Sequence, residues 1–350
     1  MQKIRLLVVD DSAVICKIIT DCFKSDPEIE VVGTAHSGVA ALERMSALKP
    51  DVVTLDIEMP EMDGLQTLAH IRATDSTTPI IMFSKFTSEG AVATLAALEL
   101  GATDFVPKPH TRDEKCTARQ QVKSQLSARI RALGRRARKR DYIPSAQPQG
   151  SSAVLDHNGI AAVGIAVSTG GPKVLLQLAS LISPDLAVPI FITQHMPPVF
   201  TGLLAERLSS RGALPAYEAS DGLLAQPGSI YVAPGDFHLE VERQSEAVTI
   251  RTHQGEPENS CRPSADVMFR SLAEVYGPRV LAIVLTGMGS DGRKGCETLK
   301  SQGAAVIAQD ESSSIVWGMP RAVVSAGLAD EVLSPEEIAA RINQIIVSEE

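Results

Sequence analysis

Two rhythms of apolar and polar positions alternate along this chain. Short runs of aliphatic residues, such as residues 4–9, 51–55 and 160–167, give way to longer stretches in which apolar residues recur every third or fourth position. The short runs predict buried strands, and the longer stretches predict helices that lay an apolar stripe against them. In the first half the order reads strand 4–9, a helix carrying Val14, Ile15, Ile18, Ile19 and Phe23, strand 30–35, helix 38–48 and strand 51–55. Helix 64–73, strand 79–83, helix 90–100 and a short strand 103–106 follow. The second half resumes the alternation, with strands over 160–167, 188–193, 229–233, 280–285 and 304–309. Its helices follow Pro172, surround 266–275 and run from Pro335 toward Ile346. Regular strand–helix alternation predicts parallel sheets wound on both faces. The fold class is therefore α/β, with two doubly wound domains.

Between the halves the pattern breaks. Residues 115–140 are helix-compatible and increasingly basic, through Arg129, Arg131, Arg135, Arg136, Arg138, Lys139 and Arg140. Residues 143–152 are a Pro/Ser/Gly linker. This predicts a first domain over 1–121, a basic helix end and linker over 122–154, and a second domain over 155–350. The basic run reads as a solvated helix end, suited to the negative end of the helix dipole and to an acidic neighbouring surface.

Composition narrows the class. The 350 residues carry a formal net charge of −9, which argues against a nucleic-acid partner, and no helix-turn-helix pattern follows the basic run. No apolar run is long enough to span a bilayer, and the N-terminus lacks a signal peptide's apolar core. The five cysteines are scattered without CxxC spacing, which fits a reduced cytoplasm and offers no metal site.

Polar residues collect where the strands of the first half run out: Asp10 and Asp11, Asp56, Ser84 and Lys108. In a parallel sheet these share one edge, and converging carboxylates of this kind suit Mg²⁺. Together with Met59-Pro60-Glu61-Met62-Asp63-Gly64, they resemble the receiver domain of bacterial two-component response regulators. The resemblance implies a flavodoxin-like fold in which Asp56 accepts a phosphoryl group from a histidine kinase. It implies Mg²⁺ on Asp10, Asp11, Asp56 and the Glu58 carbonyl, and support from Ser84, Lys108 and Phe105. It also implies a cis Lys108–Pro109 bond.

In the second half, the strand before Ser168-Thr169-Gly170-Gly171-Pro172 ends on a serine and turns into a helix. Ser168 taken alone would serve equally as a helix N-cap. The strand over 188–193 runs out at Gln194-His195, however, and the strand over 280–285 at Thr286-Gly287-Met288-Gly289-Ser290-Asp291. Ser168, His195 and Asp291 thus share one sheet edge, with the chemistry of a nucleophile, a base and its orienter. His238 is a secondary candidate. The turn lacks both G-x-S-x-G and G-x-G-x-x-G, which sets it apart from α/β-hydrolases and dinucleotide-binding enzymes.

Those segments, with Ala233-Pro234-Gly235, Arg262-Pro263-Ser264-Ala265-Asp266 and Gly318-Met319-Pro320, resemble the catalytic domain of chemotaxis methylesterases. Joined to the receiver, the chain resembles the response-regulator protein-glutamate methylesterases over essentially its whole length. The resemblance implies a Rossmann-like catalytic domain without a cofactor. It implies hydrolysis of glutamate methyl esters, and deamidation of glutamines, on chemotaxis receptors in the cytoplasm. Ser168, His195 and Asp291 would form the triad, with the Met288 N–H as oxyanion donor and Thr169 in support.

Overall fold

Buried aliphatic runs form the strands that the hydrophobic pattern predicts. The computed structural model describes residues 2–85, 87–109, 117–140 and 159–344. The chain divides into two compact units, Met1–Ala146 and Gln147–Glu350.

In the first unit, strands β1 (Ile4–Val9), β2 (Ile29–Ala35), β3 (Val52–Asp56), β4 (Ile80–Ser84) and β5 (Asp104–Pro107) form one parallel sheet in the order β2-β1-β3-β4-β5. Helices α1 (Ala13–Phe23), α2 (Gly38–Leu48), α3 (Gly64–Thr74) and α4 (Ser88–Glu99) connect the strands, and α5 (Ala118–Arg140) follows β5. Side chains set the helix starts. Ser12, Ser37, Asp63 and Thr87 each accept a backbone N–H of the helix they precede, and Asp63 completes a capping box with Gln66.

The expected domain end at residue 121 falls in the first turn of α5. That helix buries Val122, Leu126, Ile130 and Leu133 at helical spacing and packs on α1 and β1. Its basic residues meet acids of the same unit: Arg129 pairs with Asp104 at 2.8 Å, Arg131 with Asp26 at 2.7 Å and Arg135 with Glu28 at 2.8 Å. The acidic neighbouring surface is the receiver-like unit itself. The Pro/Ser/Gly linker lies outside the described residues.

The second unit holds a seven-stranded sheet and a hairpin. Its elements in chain order are β6 (Ala162–Val167), α6 (Gly171–Leu181), β7 (Ile190–Gln194), α7 (Phe200–Arg211), β8 (Ala216–Glu218), β9 (Ile230–Val232), β10 (His238–Gln244) and β11 (Ala247–His253). Then come α8 (Ala265–Tyr276), β12 (Val280–Val284), α9 (Arg293–Ser301), β13 (Ala305–Gln309), α10 (Met319–Ser325), β14 (Glu331–Leu333) and α11 (Pro335–Gln344). The sheet order is β14-β13-β12-β6-β7-β9-β8, every pair parallel, while β10 and β11 form a separate antiparallel pair. That hairpin is not among the strands expected above, although Leu239, Val241 and Ile250 face the core and alternate with outward Glu240, Glu242 and Arg251, as in a half-buried strand. Strand β6 lies between β7 and β12, where the winding reverses direction. Such switch points are where open α/β sheets bind ligands, at the carboxyl ends of the strands.

No helix among the described residues is long and apolar enough to cross a membrane.

Candidate active sites

The strand order decides which polar residues meet. Val167 at the end of β6 pairs with Gln194 at the end of β7, so Ser168 and His195 are the next residues on neighbouring strands. On the other side of β6, β12 ends at Val284, and the segment that follows brings Asp291 back to His195.

Ser168 is 8% exposed, and its hydroxyl bonds to no described residue. It does not cap α6. The cap position is Gly170, in left-handed backbone at φ 80°, and Pro172 takes the second helical position rather than the first. Backbone bonds hold the serine instead: its N–H donates to the Thr286 carbonyl at 3.0 Å, and its carbonyl accepts from the Gly171 N–H at 2.8 Å and from Gln194 Nε2 at 3.1 Å. Gly287 packs against it so closely that an added Cβ would lie 2.9 Å from the Ser168 Cβ. Thr169 is buried, with its carbonyl accepting from Thr286 Oγ1 at 2.9 Å. The Met288 N–H donates to no described residue.

His195 Nε2 lies 2.7 Å from Asp291 Oδ2. Because the carboxylate accepts, Nε2 carries the proton and the neutral ring presents Nδ1 as its accepting nitrogen. This is the reverse of the ring orientation in chymotrypsin-type triads, where the carboxylate holds Nδ1. Asp291 is 2% exposed and takes three further kinds of donor: Ser264 Oγ at 2.6 Å, Asn259 Nδ2 at 2.8 Å, and the backbone N–H groups of Ala265 at 2.7 Å and Asp266 at 3.2 Å. Burial pushes the carboxyl up, but these donors and His195 outweigh it and hold Asp291 well below the usual carboxylate range. For His195 burial acts downward, and the hydrogen bonds to Asp291 and Cys261 outweigh it, lifting the imidazole to about 9.

Cys261, half-buried, was not legible as a site residue: its Sγ lies 3.7 Å from His195 Nδ1. The other described cysteines, Cys16, Cys22 and Cys296, are buried. Alkylation with iodoacetamide should therefore modify Cys261 ahead of those three and crowd the imidazole. Ester hydrolysis is expected to fall at least tenfold, with Cys261→Ser protected, as peptide mass spectrometry and residual activity would show. His238, the secondary candidate, is a buried structural residue. Its Nε2 donates to the Glu256 carbonyl at 3.0 Å, and its Nδ1 accepts the Ser264 N–H at 3.2 Å.

The first unit brings its own set together. Asp10 follows β1, Asp56 ends β3, Ser84 ends β4, and Lys108 follows β5. Carboxylate oxygens of Asp10, Asp11 and Asp56 lie within 4.8 Å of one another. Lys108 Nζ stands 2.9 Å from Asp10 Oδ2 and 2.7 Å from Asp56 Oδ2. Burial pushes Asp56 up to about 6; Lys108 opposes the shift and the Asp10 charge adds to it. One ammonium is shared by two buried carboxylates, with the exposed Asp11 carboxylate close by, which leaves net negative charge, and an all-oxygen donor set of this kind fits a hard divalent cation. The Glu58 side chain is turned to an ion pair with Lys85, and the Glu58 N–H donates to Asp56 Oδ1 at 3.4 Å. The Ser84 hydroxyl donates to the carbonyls of Lys85 at 3.2 Å and Gly90 at 3.1 Å, and the Phe105 ring is buried. The expected cis Lys108–Pro109 bond is trans; the cis bond among the described residues is Arg262–Pro263.

Fold and sites define a class: a receiver-type unit joined to a parallel-sheet unit that carries a serine, a histidine and an aspartate at its switch point. Comparison with known proteins agrees. The CheB methylesterase family model matches residues 163–342, and the response regulator receiver domain model matches 6–119. A protein-glutamate methylesterase/protein-glutamine glutaminase of Trichodesmium erythraeum is 45% identical over 348 residues, 98% of this chain and 99% of its own. Another of that description, from a Nocardioides species, is 46% identical over 98% of this chain and 95% of its own. The solved catalytic domain of the Thermotoga maritima CheB methylesterase is similar at 39% identity and TM-score 0.52, covering 53% of this chain and 98% of that domain. The chain belongs to the CheB methylesterase family, with an N-terminal receiver domain.

Proposed function

We propose that this protein hydrolyses glutamate methyl esters on chemotaxis receptors, and deamidates receptor glutamines, under control of phosphorylation at Asp56. The observation that carries the reading is the His195–Asp291 pair standing one strand from an unbonded serine hydroxyl. In this reading Ser168 Oγ attacks the ester carbonyl while His195 Nδ1 takes its proton. The tetrahedral oxyanion is met by the Met288 N–H, with Thr169 in support of the turn. On collapse the C–O bond to the methoxy group breaks, and the imidazolium returns the proton to release methanol. Water repeats the sequence on the acyl-serine, giving the glutamate carboxylate and the free hydroxyl. A glutamine side chain follows the same course with ammonia leaving. The test is methanol release from methylated receptor membranes, with and without a small-molecule phosphodonor.

The base must be neutral to act, and His195 is lifted to about 9. Below that value the ring is mostly protonated, so kcat/KM should rise with pH through about 9 and then level. A profile already flat from pH 6 would contradict this.

In the first unit Asp56 would take the phosphoryl group from a histidine kinase, with Ser84, Lys108 and Phe105 supporting the phosphorylated state. Asp10, Asp11, Asp56 and the Glu58 carbonyl would hold Mg²⁺, which when bound offsets the negative charge that gathers around the phosphoryl group. Phosphorylation adds up to about two negative charges and new acceptor oxygens. The regulatory reading is that the unphosphorylated receiver restrains the esterase and phosphorylation relieves the restraint. It is motivated by the fusion of a receiver to a hydrolase in one chain. Asp56→Asn should take up no phosphoryl group and lose activation by phosphodonor, whereas deleting the receiver should raise basal esterase activity. Lower activity in a folded deletion variant would contradict the restraint.

A further inference from the structure

The Arg262-Pro263-Ser264-Ala265-Asp266 segment has no part in the acyl-transfer steps above, yet it surrounds Asp291. Helix α8 begins at Ala265, and its first two N–H groups donate to the Asp291 carboxylate at 2.7 and 3.2 Å. Helix α9 begins two residues after Asp291, and its Gly295 N–H donates back to Asp266 Oδ1 at 2.7 Å. The two helices therefore cap each other, each with an aspartate from the other's start, and the free N–H groups of both N-termini are directed at buried charge. Asn259 spans the pair. Its Nδ2 lies 2.8 Å from Asp266 Oδ2 and 2.8 Å from Asp291 Oδ1, and since both neighbours are carboxylates the atom facing them is the donating nitrogen. Ser264 stands at the cap position of α8 but does not cap it; its hydroxyl donates instead to Asp291 Oδ1 at 2.6 Å. Two side chains whose own local structure does not need these bonds thus spend their donors on the carboxylate that holds His195.

We propose that Ser264 and Asn259 are positioning residues that act through Asp291: they fix the carboxylate against His195 Nε2, spread its charge, and so set how basic the imidazole is. The proposal rests on the reading of His195 as the base. Its sign follows from electrostatics. Each donor places the positive end of a dipole beside Asp291, which lowers the negative potential felt at the ring. Removing a donor leaves a less neutralised carboxylate beside His195 and makes the imidazole harder to deprotonate.

The test is titration of His195 by ¹⁵N NMR of the full-length protein, alongside the pH profile of methyl-ester hydrolysis, for Ser264→Ala, Ser264→Thr and Asn259→Gly. Glycine is the suitable replacement at 259 because the backbone there is left-handed, at φ 51°. In Ser264→Ala and Asn259→Gly the His195 midpoint should move up by about half a pH unit or more. The acid limb of activity should move with it, lowering kcat at a fixed pH below the midpoint by about threefold with KM within about twofold. Ser264→Thr, which keeps the hydroxyl, should return both to the wild-type position. A midpoint that stays put or moves down in both variants overturns the proposal, as does a fall in kcat with an unmoved midpoint, which would mark a structural role alone. Should Ser264→Ala fail to fold, Asn259→Gly carries the same expectation. A midpoint that rises while the acid limb stays fixed supports the coupling of these residues to His195 and instead overturns the reading of His195 as the base.

Discussion

Replacing Ser168 by alanine should lower the rate of methyl-ester hydrolysis by about 10⁴–10⁶-fold, the range seen when a triad loses its nucleophile. The expectation rests on what the hydroxyl does in the resting protein. It bonds to no described residue and does not cap α6, so its removal takes nothing from the fold. Its backbone bonds to Thr286 and Gly171 stay in the variant. Stability should change by no more than about 0.5 kcal/mol, within the range of substitutions that break no buried interaction. The measurement is methanol release from methylated membranes beside a thermal melt of the same preparation. Near-wild-type turnover would mean a different nucleophile, and the geometry names it in advance. Cys261 Sγ lies 3.7 Å from His195 Nδ1, so a Ser168→Ala/Cys261→Ala pair separates the cases.

Asp291→Asn should cost about 10⁴-fold in rate, less than loss of the serine because, in the proposed mechanism, the nucleophile and the oxyanion donor remain. The physical argument is one of donors and acceptors. Asp291 is an acceptor only, and His195, Ser264, Asn259, Ala265 and Asp266 all donate to it. An amide nitrogen in place of either oxygen sets donor against donor. If it faces His195, the ring is driven to the tautomer that protonates Nδ1, the nitrogen proposed to accept from Ser168. If it faces Ser264 and Asn259, the buried Ser264 hydroxyl and Asp266 N–H lose their acceptor. The second arrangement strands polar groups away from water, so the variant should also lose roughly 2 kcal/mol or more of stability. A denaturant midpoint unchanged from wild type, with activity within tenfold, would contradict both parts.

Ser168, His195 and Asp56 were readable because each stands at or next to the end of a buried aliphatic run, and a parallel sheet sends all such ends to one edge. Asp291 was readable for a weaker reason, since it lies in a glycine-rich turn seven residues past β12. Asn259 and Cys261 gave no signal: neither borders a strand, and their neighbours carry no periodicity that would aim them inward. Helix α5 was readable as a helix, but its strongly basic last turns mask the apolar line of Val122, Leu126, Ile130 and Leu133 that packs it on α1 and β1. The ring nitrogen that meets Asp291 was beyond any pattern, since both orientations have the same residues in the same order.

By itself, then, the order of residues determined the two parallel sheets, the edge on which their polar residues gather, and the serine, histidine and aspartates that stand there. These follow from local period and strand direction, which a few neighbouring residues express. The tertiary structure alone decided that Asp291 holds Nε2 and leaves Nδ1 to accept. It also decided that the starts of α8 and α9 cap each other through Asp266 and Asp291, and that Asn259 and Ser264 donate to the Asp291 carboxylate. Those contacts join residues from 25 to 96 positions apart, and only the packing of α8 and α9 beside the sheet brings them within hydrogen-bond reach.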